Sequence, residues 1–260
     1  MNDLLLQLAT DAAGRSADLL VDAWADRSVL STKSSATDVV TQMDRDSEAL
    51  LVGAISDARP DDAILGEEGG AREGTTGVTW VIDPLDGTVN YLYGLPVWAV
   101  SVGVLVDGEP TIGVVHAPAL GSVWRGVAGE QPMADMNGNP MAPSGCQSLD
   151  RALVGTGFGY EAHVRSEQGR VLAQILPEVR DVRRAGAAAV DMCWVAQGRL
   201  DAYFERGTHL WDRAAATAIC NAVGITVGGL EGGQATDAMT IAANPALFDP
   251  LRLLLARAGA

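Results

Sequence analysis

Cysteine, positive charge and long apolar runs are all scarce in this chain. The three cysteines, Cys146, Cys193 and Cys220, are odd in number, lie far apart and form no CxxC pair. Neither a zinc site nor a disulfide framework is therefore expected. Lys and Arg together number 18 against 33 Asp plus Glu, for a formal charge of −15. Nucleic acid is not expected as a partner, because binding its phosphates needs a basic footprint. A small phosphorylated substrate remains open, since bound cations reverse the local sign of a carboxylate-lined site. The longest apolar segments, such as AVSVGVLV at 99–106, are far short of a membrane span, so no membrane association is expected. The N-terminal stretch carries Asp3 where a signal peptide would carry basic charge, and Asp11 soon interrupts it, which suggests a cytoplasmic protein. Internal repeats, low-complexity tracts and Ser-His-Asp or Cys-His arrangements are also missing.

What remains is a chain of 260 residues, 48% hydrophobic, able to bury a sizeable core. One large domain or two closely joined subdomains fit this length. Leu5, Leu8, Ala12, Leu19 and Ala23 share one helical face, so residues 3–24 are predicted helical. A polar segment ending at Asp44 reads as a loop or short hairpin and bears Lys33 and Asp38. A second helix is predicted over 47–58, stopped by Pro60. Strands follow at 63–66 and 79–83, then a meander from 98 to 127 turning at Asp107-Gly108. The segment 130–150 is rich in Pro, Gly, Asn and Met and reads as a boundary or an edge hairpin. Beyond it, helices are predicted at 166–176, 187–197, 211–223 and from 245, with strands at 200–204 and near 225 and 239. The fold class is α/β (α+β), with a mixed sheet in each half. The halves are taken as residues 1–145, an N-terminal metal-binding subdomain, and 146–260, a C-terminal α/β subdomain, forming one compact catalytic unit.

The densest chemical signal is WVIDPLDGTVNY at 80–91. Val81 and Ile82 are strand-like, and Pro84 lacks the N–H a continuing ladder needs, so the strand should stop at Asp83. The segment delivers Asp83 and Asp86 at a strand end, with the Leu85 carbonyl free between them. Gly87 tolerates a backbone conformation other residues resist, and Gly87 and Thr88 offer N–H groups where an anion is favoured. Two further acidic segments stand apart in sequence. ILGEEGG at 64–70 ends an apolar strand in Glu67 and Glu68, and HLWDRAAATAI at 209–219 places Asp212 as the N-cap of an Ala-rich helix.

The order and spacing of GEE (66–68), DPLDGTVNY (83–91) and WDRAA (211–215) resemble the inositol monophosphatase family, within the metal-dependent, lithium-sensitive sugar phosphatases. The likeness extends through KSSATDVVTQMD (33–44), GAAAVDMC (186–193) and LDAYFE (200–205), and so covers nearly the whole chain. It implies the sugar-phosphatase fold, a layered αβαβα sandwich. It implies two or three Mg²⁺ per site, surrounded by Glu67, Asp83, the Leu85 carbonyl, Asp86 and Asp212; hard oxygen donors of this kind suit Mg²⁺. By the same resemblance Glu67 and Thr88 hold the attacking water, with Asp44 accepting from Thr88. Gly87 and Thr88 bind phosphate oxygens, Gly186, Ala187 and Ala188 line the sugar side with Asp212, and Glu205 accepts from ring hydroxyls. Lys33 falls near a third metal, Glu68 is as readily structural, and a homodimer is the default assembly.

The implied reaction is Mg-dependent hydrolysis of a small phosphate monoester. TVNY followed by GLPVWAVSVG, and GRLDAYFE, look like the inositol branch, which makes inositol-1-phosphate the favoured substrate. Histidinol-phosphate phosphatase is the nearest alternative, then a sugar bisphosphatase. A non-catalytic phosphate-binding module is the alternative of a different class. His116 and His163 are read as surface or satisfied imidazoles, and the six Trp as core or dimer contacts.

Overall fold

The structure, a computed structural model, describes residues 2–26, 29–32 and 39–260, with side chains from 26 to 40 left aside; Lys33 and Asp38 lie outside the described residues. The chain opens with α1 (Asn2–Ala23), then β1 (Val29–Thr32) and β2 (Val39–Thr41), which pair antiparallel as a short hairpin. Next come α2 (Gln42–Ala58), β3 (Ala63–Gly66), β4 (Ala71–Arg72), β5 (Val78–Asp86) and α3 (Thr88–Tyr93). The meander is β6 (Ala99–Val106), β7 (Glu109–Ala117) and β8 (Ser122–Val127), and β9 (Met133–Met136) with β10 (Asn139–Pro140) forms an edge hairpin. Then follow β11 (Leu153–Thr156), α4 (Ala162–Ile175), β12 (Asp181–Arg183), α5 (Ala188–Ala196), β13 (Ala202–Glu205) and α6 (Leu210–Ala222). The chain ends with β14 (Thr226–Gly228), β15 (Thr240–Ala243) and α7 (Pro245–Ala258).

Two mixed sheets carry these elements. The eight-stranded sheet runs β10-β9-β8-β7-β6-β5-β3-β4, parallel only between β3 and β5. The five-stranded sheet runs β12-β11-β13-β15-β14, parallel across β12, β11 and β13. On one face of the large sheet α1 and α2 bury Leu5, Ala9, Leu20, Leu51 and Ile55 against Trp80, Val102 and Val114. On its other face lie α5 and α6, which also touch the small sheet, while α4 and α7 cover the far side of that sheet. The result is the expected αβαβα layering. Trp80, Trp98 and Trp124 are fully buried, so these three tryptophans are core residues.

A stripe of glycine sets the middle layer. Gly103, Gly113 and Gly126 are cross-strand neighbours on β6, β7 and β8. A Cβ on any of them would run into Ala214, Ala215 or Ile219 of α6. This trough lets the alanine-rich helix lie close on the sheet, with its N-terminal turn beside the ends of β3 and β5.

Several boundaries differ from expectation. Helix α2 begins at Gln42 rather than 47, because Thr41 caps it and Asp44 closes a capping box by accepting from Thr41 N at 2.7 Å. Strand β5 passes through Pro84 to Asp86, where a halt at Asp83 was expected. It does so through a bulge: Asp83 faces Ser101 and Asp86 faces Ala99, so three steps on β5 match two on β6. The missing Pro84 N–H is absorbed at that irregularity, since a bulged residue makes no ladder bond. Helix α3 and strands β11 and β12 were not expected, and α4 begins four residues earlier than its periodicity suggests. Among the described residues no helix is long and apolar enough to cross a membrane.

Candidate active site

One cleft of about 320 Å³ gathers residues from every acidic motif: Glu67, Asp83, Leu85, Asp86, Gly87, Thr88, Gly186, Ala188, Glu205 and Asp212 all line it. The bulge explains how β5 presents so many of them. Asp83 Oδ1 accepts the Leu85 N–H at 3.0 Å, which folds the Pro84–Leu85 step under the carboxylate. The Leu85 carbonyl is not free as expected: the Thr88 hydroxyl lies 3.1 Å from it and 3.1 Å from Asp44 Oδ1. A carbonyl has two lone pairs, so one direction on Leu85 O stays available to a cation.

Gly87 has φ of 88° and caps α3. A side chain there would also meet Val97 O, Ala187 Cβ and Gly186 O at 2.9–3.3 Å, so both conformation and close approach require glycine. Ala187 is 2% exposed and sits behind Gly87 rather than on the cleft wall. The first turn of α5 holds Asp86 instead: Ala188 and Ala189 N–H groups donate to its two oxygens at 3.1 and 2.8 Å. Asp212 is the third residue of α6, not its N-cap; His209 takes that position, and its N–H donates to Asp212 Oδ2 at 2.6 Å. That leaves the other carboxylate oxygen for the cleft. Glu205 closes β13 and accepts from the Tyr203 hydroxyl at 2.6 Å, in space kept open by Gly157.

The acids are electrically crowded. Burial holds Asp83 well above the usual carboxylate range, helped by the charges of Glu67, Asp86 and Asp212 and a hydrogen bond with Glu67. Burial also pushes Asp86 up to about 7 against the stabilising Ala189 and Ala188 N–H groups, and Glu205 and Glu67 raise it further. Asp212 is raised well above its ordinary value by burial, Glu67 and Asp86. Burial lifts Asp44 to about 6 despite its bonds from Thr41. These buried acids raise one another and their donors are all hard oxygens, so divalent cations fit the set. Among the described residues no three His, Cys, Asp or Glu side chains close on one point as a preformed cage. That is compatible with Mg²⁺, which keeps several waters and relies on a few carboxylates plus substrate phosphate.

Other residues of the site lie outside the three acidic motifs. Ser47 donates to Pro84 O at 2.9 Å and fastens α2 to the bulge. Glu48 holds the loop that carries Glu67, and its spacing four residues after Asp44 could have shown it. Arg184 lines the cleft beside Gly186, and Asp191, 1% exposed, lies buried behind Glu205.

The five-layer fold and the acidic cleft are those of a hydrolase of the phosphatase class, as comparison with known proteins shows. The description of the inositol monophosphatase family matches residues 1–256, and the chain belongs to that family. It is 46% identical over 202 residues to the inositol-1-monophosphatase of Mycobacterium bovis, covering 75% of this chain and 70% of that one. It is 33% identical over 233 residues to the Escherichia coli protein named Nus factor SuhB, covering 88% and 86%. The structure of inositol monophosphatase from Anabaena superposes with a TM-score of 0.86 at 30% identity, over 99% of this chain and 97% of that one.

Proposed function

We propose that the chain hydrolyses the phosphate monoester of a small polyol, with inositol-1-phosphate as the favoured substrate and Mg²⁺ as the cofactor. The observation that carries this reading is the convergence of Glu67, Asp83, Asp86 and Asp212, from three separate motifs, on the cleft where Thr88 meets Asp44. Cations held by Glu67, Asp83, Leu85 O, Asp86 and Asp212 supply charge neutralisation and Lewis acidity.

The residues themselves divide the remaining work. Asp44 draws the proton of the Thr88 hydroxyl, turning its oxygen lone pair toward a water that Glu67 also holds and can deprotonate. Gly87 and Thr88 stand at the start of α3, where N–H groups have no intrahelical acceptor and suit a phosphate oxygen. Glu205, as an acceptor, suits ring hydroxyls of the departing alcohol, in the cleft that Gly186, Ala188 and Asp212 also line, with Ala187 behind Gly87. The two halves of the chain, residues 1–145 and 146–260, thus work as one unit across the cleft, in a cytoplasmic homodimer without nucleic-acid partner. Phosphate release from inositol-1-phosphate, histidinol phosphate and fructose-1,6-bisphosphate, each with Mg²⁺ and with chelator, tests the reading. The highest kcat/KM is expected for inositol-1-phosphate, and activity that survives chelation would refute the cation's role.

A further inference from the structure

Glu48 lies one helical turn after Asp44 on α2 and is 5% exposed. Its carboxylate does not enter the cleft. It reaches into the loop between β3 and β4, where Oε2 accepts the Glu68 N–H and Oε1 accepts the Gly70 N–H, each at 2.7 Å. The loop closes around it through a bond from Gly66 N to Gly70 O at 2.7 Å. Gly66 and Gly70 are both glycine where a Cβ would collide with this same carboxylate, and Gly69 turns the chain at φ of 106°. The loop is therefore a nest of backbone N–H groups folded on a fixed internal anion. Glu67 stands inside it, between the Gly66 hinge and the Glu68 N–H that Glu48 grips.

From this geometry we infer that Glu48 is a positioning residue that aims Glu67 into the cleft, so that α2 sets both members of the water-holding pair. Asp44 places Thr88 and, four residues on, Glu48 places Glu67. Residues at this spacing lie one above the other on a helix, so a single rigid element fixes the separation of the two side chains. Ser47, between them, ties the same helix to Pro84. The carboxylate is needed for its two acceptors: a glutamine would hold one N–H and turn its own NH₂ against the other, and an aspartate would be too short for both. This inference rests on the proposed role of Glu67.

The test uses Glu48→Asp and Glu48→Gln in the full chain. In metal-free protein, amide exchange at Glu68 and Gly70 should rise about tenfold in Glu48→Asp, the worth of one net hydrogen bond, while α6 amides stay protected. At saturating Mg²⁺, kcat on inositol-1-phosphate should fall about 30-fold with KM within about threefold, as a misplacement near 1 Å would cause. Glu48→Gln should lose less of both. A kcat within twofold of wild type in both variants would overturn the inference, and so would failure of both to fold, which would make Glu48 a structural residue only. If the wild type itself releases no phosphate with any of the substrates above, the phosphatase reading fails. Loop exchange then still judges whether Glu48 fixes the position of Glu67.

Discussion

Gly113 of β7 lies directly beneath Ala215 of α6, so close that a side chain at 113 would strike the Ala215 carbonyl. This contact ties sheet packing to the site, because Asp212 stands one turn before Ala215 on the same helix. Gly113→Ala should force α6 outward and cost about 1–3 kcal/mol, the usual penalty of overpacking. A urea midpoint reads the loss, and the Mg²⁺ concentration for half-maximal activity should rise as Asp212 moves. Gly53→Ala is the control. Gly53 lies exposed in α2 with open space around its Cα, so the same change there should stabilise by about 0.5–1 kcal/mol.

Asp83→Asn should separate stability from activity. Asp83 is 2% exposed and repelled by Glu67, Asp86 and Asp212, so removing its charge relieves strain in metal-free protein. Thermal unfolding of the chelated variant should occur at a higher temperature than wild type. Activity should move the other way, with kcat falling more than about tenfold, or ~1.4 kcal/mol of transition-state stabilisation. Near-normal kcat would reduce Asp83 to a turn residue.

The same crowding sets a pH dependence. Asp86 rises to about 7 and Asp44 to about 6, both through burial first, so the folded metal-free chain holds protons that the unfolded chain has released. A raised carboxylate contributes stability at low pH and loses it as pH climbs through the folded value. Metal-free protein should therefore lose stability between about pH 4 and pH 7, over the interval from the ordinary carboxylate value to these raised ones. Saturating Mg²⁺, which favours the ionised acids, should flatten or reverse the slope. Denaturant melts at pH 5, 6 and 7.5, with and without Mg²⁺, measure it. A metal-free protein that gains stability over that range would contradict the crowded-acid picture.

The layered fold was legible because its signals are local: the apolar stripe of α1, the strand-turn-strand rhythm of 98–127 and the Ala-rich run of α6. The acids stood out as carboxylates at strand ends, but turns rich in Asp, Pro and Gly are common. It was the resemblance of GEE, DPLDGTVNY and WDRAA to the family that implied one shared site. What escaped was what depends on partners distant in sequence. Strands β11 and β12 are three or four residues long and gain their order from one another and from β13, which no window around 153 or 181 contains. Pro84 was read as a stop because a bulge becomes visible only once Ser101 and Ala99 are known to face Asp83 and Asp86. Asp44 seemed to lie in a loop because its capping bond to Thr41 competes with a polar context that suggests no helix. Ala187 looked like a pocket residue by its motif, yet Gly87, a hundred residues earlier, takes up its side-chain surface.

Glu205 offers the sharpest test of substrate class. Its Oε2 is already engaged by the Tyr203 hydroxyl, and Gly157 leaves room for the carboxylate to sit upright at the end of β13. Glu205 lines the cleft, so its remaining oxygen is an acceptor to which ring hydroxyls could donate. Glu205→Gln keeps size and the bond from Tyr203 but turns one end into a donor. For inositol-1-phosphate the loss in kcat/KM should be ~1.5–3 kcal/mol, the worth of hydrogen bonds to a charged group. An aryl phosphate, which has no ring hydroxyls to orient, should lose far less. Measured side by side, equal losses on the two substrates would mean that Glu205 acts on the phosphate half or on the fold. The preference for a polyol would then have to come from other cleft residues, such as Gly186, Ala188 and Arg184.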